Sequence, residues 1–191
     1  FASGDEDDDD DDNEEDGEDS PSPIIAAAIS SGCIVPLIDF VRAGAKADEP
    51  GDDTEDAAGA LRNLAECGAA ARAIRESGGV AVLLSLAVEW ESEEAVGALR
   101  NMAYCPQCAA EIRECGGIEI IVAMLIGALG AEAGGAEPGA AEPNIDMLDE
   151  TVGALLNLAS DEACARVIGA MPTAVRGLLR VLEPPRRIGE T

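Results

Sequence analysis

Gly-Ala-Leu-Arg-Asn-Leu-Ala at Gly59–Ala65 recurs as Gly-Ala-Leu-Arg-Asn-Met-Ala at Gly97–Ala103 and as Gly-Ala-Leu-Leu-Asn-Leu-Ala at Gly153–Ala159. The first two copies lie 38 residues apart, and the similarity continues beyond them, since Ile74–Val80 matches Ile112–Ile118. Self-similarity at this spacing predicts a solenoid of stacked helical units, none of which can bury its own apolar face. The sequence therefore predicts an all-α solenoid, an architecture that favours binding over catalysis.

Each copy has the periodicity of an amphipathic helix, because successive residues turn by about 100° and apolar residues gather on one side. The polar side of the first two copies carries Glu55, Asp56, Gly59, Arg62, Asn63 and Glu66, then Glu93, Glu94, Gly97, Arg100, Asn101 and Tyr104. In the third copy Gly153 and Asn157 keep these positions, whereas Leu156 replaces the arginine. The two shorter helices predicted after each of the first two copies are Gly68–Glu76, Gly79–Val88, Pro106–Glu114 and Gly117–Ile126.

Composition divides the chain into a repeat domain and two tails. Phe1–Ser20 is nearly pure Asp and Glu with Gly and Ser, which predicts a disordered acidic tail over residues 1–22. The repeat domain is expected over residues 23–183, followed by a tail at 184–191. Between the second and third copies the spacing grows to 56 residues, which predicts a flexible insertion at 127–144. Asp53 or Thr54 is expected to cap the helix of the first copy.

The net charge of the chain limits which classes of partner it can bind. The formal net charge is −27, and 13 of the 39 acidic residues lie between Asp5 and Asp19, so the remainder is also acidic. A negative field of this size argues against binding a nucleic-acid backbone and favours basic proteins. The acidic tail is either a solubilising segment or a polyanion that competes for a basic groove. The sequence contains no run of about 18 apolar residues, so it predicts no membrane-spanning helix.

Six cysteines in a helical array do not resemble a disulfide framework. Cys67 and Cys105 are equivalent, and Cys115 replaces Ser77, so the cysteines are predicted to be small buried residues in a reducing intracellular compartment, by default cytoplasm or nucleus. The start at Phe1 without Met predicts a fragment or a processed product. The Phe-Ala-Ser start faintly resembles processed proteins of complex algal plastids, which leaves a plastid or photosynthetic assembly as the alternative.

The residues that catalysis would need are missing from the pattern. Cys105-Pro-Gln-Cys108 would need a βαβ context for thioredoxin-type chemistry, and a zinc site there would need four ligands in a chain without histidine. No Gly-rich phosphate loop follows a strand, and no nucleophile has a histidine base. A carboxylate pair would need an apolar pocket to raise one pKa, and none is indicated. The sequence therefore predicts no enzyme, no cofactor and no metal.

The signature Ala-x-Gly-Ala-Leu-Arg-Asn-Leu-Ala, followed by Ile-x-x-x-Gly-Gly-Val/Ile, resembles armadillo repeats over roughly residues 23–182. The resemblance implies a right-handed α-solenoid of about three to four three-helix repeats, with Ile24–Arg42 similar to the first two helices of a unit. HEAT repeats are the competing assignment. Import adaptors of the family carry Trp where this chain has Gly59, Gly97 and Gly153, so the pattern is closer to the catenin-like type.

The resemblance also implies a binding site. The third helix of each armadillo unit lines the concave face, where asparagines grip the main chain of an extended peptide; here they would be Asn63, Asn101 and Asn157. A carboxamide can both donate and accept, which suits such binding. The same face carries Arg62, Arg100 and Tyr104, together with a negative stripe of Glu55, Asp56, Glu93, Glu94, Asp149 and Glu150.

Alternatives stay open for these side chains. The asparagines could instead satisfy neighbouring helix termini, the arginines could hold partner carboxylates, and acids are favoured at helix starts in any case. The predicted function is a non-catalytic adaptor that binds basic or extended protein segments. The alternative is a peripheral structural subunit of a larger complex, because neither solenoid end shows a polar capping unit.

Overall fold

The computed structural model describes residues 21–47, 51–130 and 142–182. These residues form helices and connecting turns, and no strand occurs among them, so the predicted all-α class is confirmed. The helices are α1 Pro23–Ser31, α2 Ile34–Gly44, α3 Asp52–Leu64, α4 Gly68–Glu76, α5 Gly79–Trp90, α6 Glu93–Met102, α7 Pro106–Glu114, α8 Gly117–Ala128, α9 Ile145–Leu158, α10 Glu162–Ala170 and α11 Pro172–Val181. Of the acidic tail predicted at residues 1–22, residues 1–20 lie outside the described ranges, as does the tail predicted at 184–191, whereas Ser22 caps α1.

The helices repeat in triplets. α1–α3, α4–α6 and α7–α9 form three units, and α10 and α11 supply the first two helices of a fourth. Equivalent helices pack side by side: α1, α4, α7 and α10 in one row, α2, α5, α8 and α11 in a second, and α3, α6 and α9 in a third. This order is that of a solenoid, and the opening pair, matched at first to only part of a unit, completes a triplet with α3.

Sharp turns between the first and second helices of a unit depend on glycine. Gly78 and Gly116 have φ of +76° and +74°, a conformation that side chains on L-residues rarely adopt. Each lets the chain reverse within one residue, so that α5 and α8 fold back onto α4 and α7. The repeated Gly-Gly pair therefore forms the turn between the first two helices of the second and third units.

One continuous core runs through the array. The largest fully buried side chains come from each of the three complete units: Ile38, Leu61, Ile74, Leu83, Leu86, Leu99, Met102, Ile112, Ile118, Ile121, Leu125 and Leu155. Burying one such side chain contributes about 1.5–3 kcal/mol, so each unit is stabilised mainly by its neighbours. The core holds the third row of helices in fixed register.

Two local expectations differ from the structure. Helix α8 continues to Ala128, and the Asn144 side chain caps α9 by accepting a hydrogen bond from the Met147 N–H at 3.1 Å. Both ends of the insertion predicted at 127–144 are therefore part of the helical structure. Residues 131–141 of the insertion lie outside the described part of the chain. Helix α3 is capped by Gly51 without a side-chain bond rather than by Asp53 or Thr54. Thr54 is buried against Gly44 instead, which uses its side chain for packing.

Within the described ranges, no single helix has both the length and the apolar character that a bilayer crossing requires; only α1 and α2 together meet these criteria, and they are bent by 72°.

Candidate functional site

The third row of helices forms one surface, which we call the third-helix face: the outward residues of α3, α6 and α9. The three predicted asparagines occupy equivalent positions on these neighbouring helices, and the glycines one turn earlier do so as well. We call the Gly, Asn and acidic residues of one such helix a rung, so that α3 carries the first rung, α6 the second and α9 the third. The structure thus brings the predicted residues together on one surface.

Two of the asparagines bind the main chain of the preceding third helix. Asn101 Nδ2 donates to the carbonyl of Arg62 at 3.0 Å, and Asn157 Nδ2 donates to the carbonyl of Arg100 at 2.9 Å. Both carbonyls lie in the last turn of their helices, where no intrahelical N–H reaches them. Asn63 is exposed and makes no such bond, because no third helix precedes α3 among the described residues.

The arginine side chains lie across the face rather than pointing to solvent. A Cβ on Gly97 would lie 2.7 Å from Arg62 Nε, and a Cβ on Gly153 would collide with Arg100 Nε. Each arginine therefore crosses the next third helix at its glycine, which any larger residue would block. This explains physically why glycine stands one turn before Asn101 and Asn157.

The guanidinium groups end on carboxylates of the following units. Arg62 pairs with Glu94 at 3.4 Å and with Glu150 at 2.5 Å. Arg100 pairs with Asp149 at 2.9 Å and with Glu150 at 3.3 Å. The hydrogen bond to Asp149 raises the pKa of Arg100, and burial offsets part of that effect. The arginines expected to hold partner carboxylates are thus engaged by the chain itself.

Carboxylates remain in excess on this face after the arginines are paired. Glu55, Asp56 and Glu93 have no ion-pair partner among the described residues. Glu55 accepts a hydrogen bond from the Ser92 hydroxyl at 2.7 Å, and Glu93 accepts one from Asn144 Nδ2 at 2.8 Å. Neither donor carries a charge, so the face keeps a negative potential that a cation can neutralise.

The face is uneven along its length. A hollow of about 500 Å³ lies at the first rung, bordered by Glu55, Asp56, Gly59, Ala60, Arg62, Asn63 and Glu94. At the other end Leu156 is 70% exposed where the other helices have arginine. Tyr104, 76% exposed, follows α6 at the edge of the face. Sequence reasoning missed the hollow, although the recurrent glycine was its signal.

A larger hollow of about 680 Å³ lies elsewhere, between α5, α8 and the start of α9. Its lining is mainly apolar, with Val88, Ile120 and Met124 on its walls and Glu91 and Glu119 at its margin. It holds none of the residues predicted as a site, and no sequence pattern indicated it.

The six cysteines are free thiols that differ in burial. Cys105 and Cys108 are free thiols; the Cys105 thiol donates to Gln107 Oε1 at 3.0 Å and the Cys108 thiol to the Ala71 carbonyl at 3.6 Å. Burial alone would raise the pKa of the Cys105 thiol, but hydrogen bonds from Cys108 outweigh it, so that the pKa of Cys105 is lowered. For Cys108 burial dominates and raises the pKa to about 12. The predicted burial holds for Cys105, Cys108 and Cys164, whereas Cys33 and Cys67 are half-buried and Cys115 is exposed. No group of three potential metal ligands occurs in the part of the chain that the structure describes.

Comparison with known proteins identifies the fold. No protein-family model and no curated protein matches the sequence. The chain is similar to the crystal structure of an engineered protein, with a TM-score of 0.64 and 27% identity over 87% of this chain and 37% of that one. It is also similar to a designed armadillo repeat protein in complex with the peptide (KR)4, with a TM-score of 0.64 and 21% identity over 85% of this chain and 62% of that one. The chain therefore spans less than two thirds of both proteins.

These likenesses and the three rows of helices agree with the sequence signature. The chain has an armadillo-like repeat fold, as the resemblance implied.

Proposed function

We propose that this chain is a non-catalytic protein-binding module whose third-helix face receives an extended, basic segment of a partner protein. The observation that carries the proposal is the excess of carboxylates on that face after Arg62 and Arg100 have been paired internally. A designed protein of similar fold is recorded with the peptide (KR)4, which supports a basic segment as the class of ligand.

The physical basis is electrostatic attraction combined with hydrogen bonding to the partner's main chain. Glu55, Asp56 and Glu93 attract cations, while the exposed Asn63 amide can donate to a carbonyl and accept from an N–H. An extended segment offers both groups at every residue, whereas a folded surface does not. Binding of this kind weakens steeply with salt because the charges are exposed.

The test is a titration of fluorescently labelled (KR)4 peptide against the full chain, followed by anisotropy. The variant Glu55→Gln/Glu93→Gln removes two carboxylates from the third-helix face. The control Glu89→Gln/Glu114→Gln removes two exposed carboxylates from α5 and α7 and keeps the same net charge. We expect the first pair to weaken binding about fivefold or more and the control to change it less than twofold.

Equal losses in the two variants would contradict the proposal. They would mean that the peptide responds to total charge, including the acidic residues between Asp5 and Asp19, rather than to this face. Since both variants keep that segment, its contribution cancels in the comparison.

A second function, that of a structural subunit in a larger complex, is favoured by apolar side chains at both ends of the array. Ile24 is 82% exposed and Phe40 49% on the first unit, and Leu179 is 57% exposed and Leu182 79% on the last. Exposed apolar ends of a solenoid are a liability unless a partner covers them. Crosslinking in native extract separates the two functions, because a structural subunit should give one stoichiometric complex that Leu179→Lys disrupts while (KR)4 binding persists.

A further inference from the structure

The second rung already binds an arginine residue, and that arginine belongs to the chain. Three contacts define the site. The Asn101 amide donates to the Arg62 carbonyl at 3.0 Å. The aliphatic part of the Arg62 side chain, here called its stem, passes over Gly97, and the guanidinium at its end pairs with Glu94 at 3.4 Å. Main chain, stem and charge of a single arginine are therefore each recognised by a different group.

The third rung repeats the arrangement. The Asn157 amide donates to the Arg100 carbonyl at 2.9 Å, the stem passes over Gly153, and the guanidinium pairs with Glu150 at 3.3 Å. Glu94 and Glu150 occupy the same position in their helices, as do the glycines and the asparagines. The two rungs thus hold an arginine through the same combination of amide, glycine and carboxylate.

The first rung has the same three groups but no arginine. Asn63, Gly59 and Asp56 are the equivalents, and Arg42, in the last turn of the helix before α3, pairs with Asp39 of its own helix instead. The hollow of about 500 Å³ lies at this position. The Glu94 side chain lies over Gly59, with Oε2 at 3.2 Å from a Cβ built on that glycine, in the place that an arginine side chain occupies at the other rungs.

We propose that the first rung binds one arginine residue of the partner segment. Its carbonyl accepts from Asn63, its stem lies over Gly59 in place of the Glu94 side chain, and its guanidinium pairs with Asp56 and the displaced Glu94. The inference rests on the proposed function and names the side chain that the face selects. Among the described residues it leaves one rung for the partner, because Arg62 and Arg100 fill the other two.

Arginine fits better than lysine for a geometric reason. At both occupied rungs the guanidinium contacts two different carboxylates, Glu94 and Glu150 in one case, Asp149 and Glu150 in the other. A guanidinium is a planar fork with five N–H donors and can bridge two acceptors, whereas an ammonium is a compact point charge. Asp56 and Glu94 offer the equivalent pair at the first rung.

The experiment compares three labelled peptides of equal length, each with lysine and serine flanks and a central Arg, Lys or citrulline. Anisotropy gives the Kd of each for the full chain. We expect the Arg peptide to bind about fivefold more tightly than the Lys peptide and more tightly still than the citrulline peptide. Asp56→Asn should abolish the preference, and the control Glu89→Gln, exposed on α5, should keep it.

Gly59→Leu is the second variant, because leucine favours the helix and fills the hollow without removing charge. It should remove the difference in affinity between the Arg and Lys peptides, with folding checked by circular dichroism. A preference for Arg that survives both variants, or basic peptides that bind without any preference, would overturn the inference and leave the proposed function standing. If none of the basic peptides binds, both fail.

Discussion

Arg62 on α3 donates a hydrogen bond to Glu150 on α9, so residues 88 positions apart join the first and third units directly. Solenoid units generally contact only their neighbours, and this pair spans the unit between them. It can do so because the arginine crosses α6 at Gly97, where no side chain stands in its way. Glu150, with 8% of its side chain exposed, also pairs with Arg100 and therefore ties all three units together.

Replacing this shared carboxylate should destabilise the array. Glu150→Gln leaves two guanidinium groups facing a neutral side chain, and we expect the free energy of unfolding to fall by about 2 kcal/mol, because the arginines remain a third exposed and keep other partners. Asp149→Asn, at a side chain 74% exposed, should cost less than about 1 kcal/mol. Urea unfolding at constant m-value measures both. Equal losses would show that Glu150 has no special role.

The asparagines should divide into structural and binding residues. Asn101→Ala and Asn157→Ala each leave a helix-end carbonyl without its donor and should lower stability by about 1 kcal/mol. Asn63→Ala should change stability by less than about 0.5 kcal/mol, since Asn63 is exposed and makes no such bond. Urea midpoints give the stabilities, and (KR)4 affinity should respond to Asn63 instead. The reverse order would contradict this division.

The repeat pattern predicted most of the helices because their ends are marked locally. Both ends of Gly68–Glu76 and of Pro106–Glu114 were predicted correctly, since each helix begins directly after a cysteine, with Gly or Pro as its first residue, and a Gly-Gly pair follows its end. Helix α8 extends beyond its predicted end because Gly127 lies within a helix whose apolar face still packs on the core up to Ala128. At Gly127 the burial of the next turn against the core outweighs the low helix propensity of glycine, so the helix does not end there.

The candidate site was predictable as a set of residues but not as a network. A helical wheel places Arg62, Asn101 and Gly97 on one polar side, and the structure keeps them on one face. It cannot show that the arginine of one unit lies over the glycine of the next, because that depends on the distance between packed helices. The wheel also assigns Gly97 and Asn157 to the polar side, whereas the packing of neighbouring helices buries both residues.

Two glycines of α8 should respond in opposite ways to alanine. A Cβ on Gly117 would lie 2.7 Å from Ile112 Cγ2 and 2.8 Å from the Ile112 carbonyl oxygen, so Gly117→Ala should cost about 2 kcal/mol. Gly127 has nothing within 4 Å, and Gly127→Ala should raise stability by about 0.5–1 kcal/mol through helix propensity. Thermal unfolding of the pair tests this. A stabilised Gly117 variant would mean that α7 and α8 can separate at no cost.

Alkaline conditions should unfold the chain through its buried thiols. Burial raises the pKa of Cys108 from 9.0 to about 12 and that of Cys164 from 9.0 to about 11. Above pH 9 the unfolded state therefore loses thiol protons that the folded state keeps. Because the unfolded state binds fewer protons, stability falls as pH rises, by up to about 1.4 kcal/mol per pH unit for each thiol, until the folded pKa is reached.

The check compares urea midpoints at about pH 8 and about pH 10.5, under reducing conditions, for the natural chain and two variants. Cys108→Ala/Cys164→Ala should lose clearly less stability over this interval, although its stability at the lower pH is reduced by the smaller side chains. Cys115→Ala is the control, since that cysteine is exposed. If all three chains lose the same stability, the alkaline loss comes from other groups. A smaller loss confined to the double variant identifies these two thiols, which donate to carbonyls of the preceding units, as the buried groups that titrate only on unfolding.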